Sequence, residues 1–228
     1  LLRQRRRLLR RTKPTKEVNV SERIFLSPPH LTGREMDYIQ QAFADNWIGP
    51  LGPYVEAFER QLVEIVGVKR ALALSSGTAA IHLALRTMGI GRGDLVLASS
   101  FTFIGSVAPL NYVGAEPWFV DSNESTWNMD PDLLADAIAQ ATAQGRKPKA
   151  AIVVDIVGQC ADYTPITEIC DDAGIPIIED ACESLGAEYK GRPVGSLGDV
   201  AEVLEEGMGR RTRRRCGDGC RYHRSRCG

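Results

Sequence analysis

The sequence has no apolar run as long as the roughly 18–20 residues that cross a membrane, which argues against a membrane span. Its basic first segment, LLRQRRRLLRRTK, lacks the apolar stretch of a secretory signal. Six cysteines are present, but their placement does not indicate the disulfide framework of a small secreted domain. We therefore expect a cytoplasmic protein without membrane contact.

Acidic residues are nearly absent from both ends of the chain. Residues 1–16 hold eight Lys or Arg and no acid, and residues 210–228 hold eight Arg and one acid, Asp218. Twelve basic and 28 acidic residues lie between these ends. Two Arg-rich ends could neutralise nucleic-acid phosphates. The acidic middle and the lack of a recognition motif argue against a nucleic-acid partner.

Between residues 71 and 178, short apolar runs alternate with helical patterns. The predicted strands are 71–74, 94–98, 117–120, 150–154 and 175–178, and helices fill the intervals. Two further helices precede them, the first capped by Thr32 with Glu35. Later helices begin at Asp130-Pro131 and at Thr164. This order predicts an α/β fold with a mostly parallel sheet and helices on both faces.

The segment Ser75-Ser-Gly-Thr-Ala-Ala80 lies between a predicted strand and a helix. A helix N-terminus offers free N–H groups and a partial positive charge, which suit a phosphate. Gly77 would permit close approach of a ligand, and Thr78 could add a hydroxyl. The alternative is an ordinary helix start, capped by its own Ser and Thr side chains.

Two more motifs follow predicted strands. Glu179 and Asp180 end the apolar run Ile177-Ile178, at the strand end where open α/β sheets bind ligands. A buried carboxylate there needs a cationic partner such as a protonated ring nitrogen, although it could also cap the next turn. Phe101 and Phe103 could stack on a flat ring or belong to the core. Together, the three motifs indicate a site for a phosphorylated pyridine.

The chain resembles the DegT–DnrJ–StrS family of sugar aminotransferases over about residues 24–200. The matching stretches, in family order, are SPPHLTGREMDYIQQAF, NWIGPLGPYVEAFE, VGVKRALALSSGTAAIHLAL, GRGDLVLASSFTFIGS, GAEPWFVDSNESTWNMDPDLL and IPIIEDACESLGAEYKGRPVGSLGD. The resemblance implies the large domain of the aspartate-aminotransferase type of fold and pyridoxal 5'-phosphate as cofactor. It also implies a nucleotide-linked keto-sugar and glutamate as substrates, a role in amino-sugar or polysaccharide biosynthesis, and a homodimer.

The resemblance also assigns site residues. Gly77 and Thr78, with Ser76 or Ala79, would hold the cofactor phosphate. Phe103 would stack on the ring, Asp180 would pair with the pyridine nitrogen, and Glu183 would lie near the ring hydroxyl. Trp47 would line the substrate entrance. The chain departs from the family at Asp155 and Leu185, where the family often has His, and at Val157, where it often has an aromatic residue.

The lysine that holds the cofactor as a Schiff base is missing from its expected position. In the family it follows the GD of GSLGD by about ten residues, but this window reads VAEVLEEGMG. The lysines of the chain are Lys13, Lys16, Lys69, Lys147, Lys149 and Lys190. We therefore expect no catalytic lysine in this chain and no transamination by it.

These observations divide the chain into three parts. Residues 1–20 are expected to be a basic, disordered or mistranslated segment, and residues 21–200 a partial large domain. Residues 201–228 are expected to be a disordered Arg/Cys-rich tail, typical of a GC-rich gene translated out of frame, and the small C-terminal domain is expected to be missing.

Two other functions remain as alternatives. The tail residues Cys216, Cys220, His223 and Cys227 have the chemistry of zinc ligands, but their spacing fits no common zinc finger. A sugar dehydratase on the same fold can use His in place of the lysine, and the absence of His near position 209 argues against it. A non-catalytic remnant of the fold is a third reading of the same residues.

Overall fold

The computed structural model describes residues 31–203 and the backbone of residues 220–222. The helices are α1 (Glu35–Ala44), α2 (Pro53–Val66), α3 (Gly77–Thr87), α4 (Ile104–Val113), α5 (Pro131–Ala143) and α6 (Tyr163–Ala173). The strands are β1 (Leu95–Ser99), β2 (Glu116–Val120), β3 (Ala150–Val154), β4 (Ile177–Asp180), β5 (Ala187–Tyr189), β6 (Arg192–Pro193), β7 (Val200–Glu202) and β8 (Cys220–Tyr222).

Five strands form the main sheet, in the order β2-β1-β3-β4-β7, and every neighbouring pair is parallel. Parallel pairing places the carboxyl ends of all five strands at one edge, where ligands bind in such sheets. At this edge Asp180 of β4 is the register partner of both Val154 of β3 and Glu202 of β7. Strands β6, β5 and β8 form a separate antiparallel sheet.

The core lies on both faces of the main sheet. All residues of β1 and β3 are buried, and successive side chains point to opposite faces, as a strand requires. Leu97 packs with residues of α5 and α6 on one face. Val96 and Ala98 pack with residues of α3 and α4 on the other face. Helices therefore cover both faces, as the alternation of apolar runs and helical patterns predicts.

The predicted strand at 71–74 is wrong. These residues have no strand assignment, and both Leu72 and Leu74 are exposed. The N–H of Ala73 donates to the Glu59 side chain at 2.8 Å, where a strand would donate to a backbone carbonyl. An apolar run becomes a strand only when a neighbouring strand supplies backbone partners, and no described strand pairs with this one.

Helix starts were predicted with mixed success. Asp130 caps α5, accepting from the N–H groups of Asp132 and Leu133. Thr32 is not the N-cap of α1; instead its N–H and hydroxyl donate to the Glu35 carboxylate. Thr164 does not cap α6 either, because it lies inside the first turn. At both threonines the helix begins one or more residues from the expected position.

The predicted boundary at residue 200 falls within β7, which pairs with β4. The backbone of Cys220–Tyr222 pairs with β5, and the predicted disordered tail stays a prediction. The remaining tail and the predicted segment 1–20 lie outside the described residues. Within the described part of the chain, no helix has the length and apolar character needed to cross a membrane.

Candidate active site

The N-terminus of α3 forms one side of the candidate site. Ser76 is the N-cap, and its side chain accepts from the N–H of Ala79 at 3.2 Å. Gly77 and Thr78 are the first two residues of the helix. Backbone N–H groups at such positions have no acceptor within the helix. The capping role and the phosphate-binding role proposed from the sequence are thus compatible, because the cap occupies the N–H of Ala79 and not those of Gly77 and Thr78.

Phe103 lies beside this helix start. It is the N-cap residue of α4, and its side chain is 71% exposed, so it is not a core residue. A side chain on Gly105 would meet the Thr78 hydroxyl at 2.8 Å and the Phe103 ring at 3.0 Å. The missing side chain at Gly105 therefore lets the starts of α3 and α4 approach each other, with an exposed aromatic ring next to them.

Asp180 ends β4 and is only 4% exposed. The Ser106 hydroxyl donates to its Oδ2 at 2.6 Å, and the N–H of Cys182 donates to its Oδ1 at 3.2 Å. Thr102 continues the network through a 2.7 Å hydrogen bond with Ser106. The carboxylate is thus held in a fixed orientation, as a group that pairs with a ligand cation must be.

The neighbouring Glu179 has a different role from Asp180. Its side chain is fully buried and accepts from three backbone N–H groups, those of Gly195, Leu197 and Gly198, at 2.5–2.9 Å. Burial raises the pKa of this carboxyl, although the three hydrogen bonds act in the opposite direction. Glu179 therefore fixes the GSLG turn, and of the two acids only Asp180 contacts the α4 start.

Glu183 is exposed and lies over the loop after β3. Its Oε2 accepts from the N–H of Val157 at 2.5 Å. Val157 has a left-handed backbone conformation with φ of 55°, which is unusual for a β-branched residue. Glu183 thus holds a strained loop at the same sheet edge as Asp180.

Trp47 is half-exposed in the loop between α1 and α2. Its ring packs against Gly52, where a side chain would lie 2.6 Å from the ring. The contact that the structure gives Trp47 is thus with its own loop, and a role at a substrate entrance stays a prediction.

Two residues that the sequence analysis did not assign to the site, Cys182 and Glu202, lie at its centre. Glu202 is 5% exposed, and its Oε1 accepts from the Cys182 thiol at 2.8 Å. A side chain on Gly77 would lie 1.5 Å from this oxygen. Glu202 therefore fills the space directly against the start of α3. No local sequence pattern reveals this position, because Glu202 reaches Gly77 only through the pairing of β7 with β4.

Burial shifts the proton affinity of three groups near this edge. It raises the pKa of Glu202 to about 7, and proximity to Asp180 acts in the same direction. The pKa of the Cys182 thiol is raised far above its usual range, mainly by burial. Asp155, which accepts from Ala161 N–H and the Ser184 hydroxyl, is fully buried and has its pKa raised to about 8. Burial therefore favours the protonated, neutral forms of these three groups.

The four described lysines have positions unsuited to the site. Lys147 and Lys149 precede β3 and therefore lie at the opposite edge of the parallel sheet from Asp180. Lys190 donates to the Thr164 hydroxyl at 2.5 Å and lies over the Tyr189 ring. Lys69 lies in the connection after α2. None of these four amino groups forms a hydrogen bond or ion pair with Asp180 among the described contacts.

Comparison with known proteins identifies relatives of the chain. Residues 29–203 match the model of the DegT/DnrJ/EryC1/StrS aminotransferase family. The "Putative pyridoxal phosphate-dependent aminotransferase EpsN" of Bacillus subtilis is 52% identical over 177 residues, which are 78% of this chain and 46% of that protein. The UDP-2-acetamido-2-deoxy-3-oxo-D-glucuronate aminotransferase of Pseudomonas aeruginosa is 40% identical, covering 66% of this chain and 40% of that protein.

A solved structure shares the fold. The DegT/DnrJ/EryC1/StrS aminotransferase of Brucella abortus superposes with a TM-score of 0.72 at 39% identity, covering 75% of this chain and 46% of that one. The predicted fold class is therefore confirmed, and the chain spans about half the length of the curated relatives it matches. The chain belongs to the DegT/DnrJ/EryC1/StrS family of pyridoxal-phosphate-dependent aminotransferases.

Proposed function

We propose that this chain is the cofactor-binding part of an aminotransferase that transfers an amino group from glutamate to a nucleotide-linked keto-sugar. The observation that carries the proposal is the buried Asp180, oriented by Ser106, at the sheet edge where α3 begins. The name of the Pseudomonas aeruginosa relative describes a UDP-linked 3-oxo-sugar aminotransferase, which supports the substrate class. Glutamate as the amino donor rests on the family resemblance.

The donors at this edge fit a phosphorylated pyridine. The N–H groups of Gly77 and Thr78, with Ser76 and Ala79 beside them, would hold the phosphate. Phe103 would stack on the ring. Asp180 would hold a proton on the ring nitrogen, because a buried carboxylate stabilises a cation beside it. With that proton in place, the bound cofactor acts as an electron sink for transamination.

The remaining two predicted residues would act at the margin of the site. Glu183 would hold the Val157 loop close to the ring hydroxyl, since it already binds the N–H of Val157. Trp47 would line the entrance for the sugar. The space against Gly77 is occupied by the Glu202 side chain, so phosphate entry requires this side chain to move.

We further propose that the 228-residue chain does not transaminate by itself. The window VAEVLEEGMG, where the family has its lysine, contains none, and Lys190 donates a hydrogen bond to the Thr164 hydroxyl. Incubation of the chain with glutamate and a UDP-linked 3-oxo-sugar should yield no amino-sugar, and formation of product would contradict the proposed lack of transamination.

A homodimer, a cytoplasmic location and the absence of a nucleic-acid partner stay predictions.

Equilibrium dialysis against pyridoxal phosphate and against pyridoxal tests the cofactor site. We expect one pyridoxal phosphate per chain and at least about tenfold weaker binding of pyridoxal, because only the phosphate reaches the α3 N–H groups. Asp180→Asn should weaken pyridoxal phosphate binding at least about tenfold. The exposed Asp132→Asn is the matched control. Equal binding of the two ligands, or no effect of Asp180→Asn, would contradict the proposal.

A further inference from the structure

Three side chains with metal-ligand chemistry converge from two neighbouring strands. Asp180 ends β4, Cys182 follows it by two residues, and Glu202 ends β7 opposite Asp180 in the register. One ligand atom from each lies within 4.8 Å of the others. The Cys182 Sγ and the Glu202 Oε1 are 2.8 Å apart.

The charge of this cluster is not balanced by the described part of the protein. Asp180 and Glu202 are 4% and 5% exposed. The Glu202 Oε2 is buried and has no hydrogen-bond partner among the described residues. The two ion pairs that the described residues form, Arg60–Glu56 and Arg146–Glu116, include neither carboxylate. Because buried carboxylates are normally paired with a cation or bound to a metal, the unpartnered oxygen indicates a missing cation.

We propose that Asp180, Cys182 and Glu202 form a binding site for a thiophilic divalent cation of the Zn²⁺ class. Ligand atoms around a tetrahedral Zn²⁺ lie about 3.5 Å apart, given its bond lengths of about 2.0–2.3 Å. The ligand atoms of the cluster lie within 4.8 Å of one another, so side-chain rotations can bring all three onto one ion. Three protein ligands leave the fourth position to water, as in open zinc sites.

The donor set favours this class of cation over Mg²⁺ or Ca²⁺. Those hard cations require six or more oxygen ligands, whereas a thiolate selects Zn²⁺ and similar metals. Binding replaces the hydrogen bond between Cys182 and Glu202, and the thiol proton leaves to solvent as the thiolate coordinates. The Ser106 hydrogen bond to Asp180 can persist, because it uses Oδ2, whereas Oδ1, which accepts from the N–H of Cys182, keeps a second lone pair for the metal.

The site does not depend on the proposed function, although the two share Asp180. Cation binding should therefore compete with pyridoxal phosphate if that cofactor binds as proposed. A chain that binds no cofactor can still bind the cation, and titration with the metal alone therefore distinguishes failure of the metal site from failure of the cofactor site.

Cobalt(II) alone is a suitable probe, since a thiolate bound to it gives a near-ultraviolet charge-transfer band. The protein used is the 228-residue chain with Cys216, Cys220 and Cys227 all changed to Ser, which removes these thiols as competing ligands. We expect one cobalt per chain with this band and its loss on adding Zn²⁺. Cys182→Ser should abolish the band, and Glu202→Gln should weaken binding at least about tenfold.

Cys170→Ala provides the control, because Cys170 is a buried thiol on α6 outside the cluster. It should retain the band and the affinity. Glu202→Gln removes a buried charge, so we expect it to fold at least as stably as the wild type in the absence of metal, which separates lost binding from misfolding. No band in the wild-type site, a band that survives Cys182→Ser, or unchanged affinity in Glu202→Gln would overturn the proposal.

Discussion

The Ser106 hydroxyl donates a 2.6 Å hydrogen bond to Oδ2 of Asp180, joining α4 to the end of β4 across 74 positions of sequence. Both side chains are buried. A hydrogen bond to a buried carboxylate stabilises the folded state more than one between neutral groups. This contact therefore both stabilises the fold and orients the carboxylate on which the proposed cofactor site depends.

Removal of the Ser106 hydroxyl should reduce stability and cofactor binding together. We expect Ser106→Ala to lower the free energy of unfolding by about 2 kcal/mol, because Asp180 loses a charge-assisted hydrogen bond. Urea denaturation measures the first effect and dialysis against pyridoxal phosphate the second. Ser100→Ala is the matched control, since the Ser100 bond to Asp121 is exposed and should contribute no more than about 0.5 kcal/mol. Equal losses in both variants would contradict a special role for Ser106.

Glu179 should be among the most sensitive residues of the described chain. Glu179→Ala leaves three N–H groups of the 195–198 turn without their acceptor, and we expect a loss of at least about 3 kcal/mol in urea denaturation. Glu179→Gln should have an intermediate effect, because its one amide oxygen can still accept two of the three bonds. The exposed Glu124→Ala should change stability by no more than about 0.5 kcal/mol. A tolerated Glu179→Ala would show that the turn does not need this acceptor.

Asp155 should make the stability depend on pH. Burial raises its pKa from 3.8 to about 8 in the folded state. Between these values the folded protein binds a proton that the unfolded chain has lost, so this contribution is complete below pH 4 and is lost as the pH rises to about 8. We expect a loss of about 1–3 kcal/mol over this window.

Asp155→Asn should reduce the slope of this pH profile, as measured by urea midpoints between pH 5 and pH 8.5, and the raised pKa of Glu202 contributes slope that remains. The asparagine oxygen can still accept from the N–H of Ala161. Asp171→Asn, an exposed carboxyl on α6, should leave the wild-type slope unchanged. An unchanged slope in Asp155→Asn would assign the pH dependence to other groups.

Local signals in the sequence predicted much of the fold. The apolar run Ala150–Val154 is β3 with the predicted bounds, and Asp130-Pro131 starts α5 because the cap needs only atoms that are adjacent in sequence. The run 71–74 failed because a strand also needs a neighbour, which no local pattern reveals.

The candidate site was predictable only in part for the same reason. Strand ends and helix starts drew attention to Gly77, Phe103 and Asp180. Ser106 and Glu202 became visible only in the structure, because their partners are Asp180 and Cys182, 74 and 20 residues away. Their contacts depend on how α4 and β7 pack beside β4. The phosphate-binding role of Gly77 and the ring-binding role of Asp180 stay predictions.

The central claim is that the chain holds pyridoxal phosphate through α3 and Asp180 without a covalent bond to lysine. Sodium borohydride treatment of the cofactor-loaded chain, followed by peptide mapping with mass spectrometry, tests it most directly. We predict one bound cofactor per chain before treatment, released on denaturation, with no lysine labelled above background. Stoichiometric labelling of a single lysine would contradict the account.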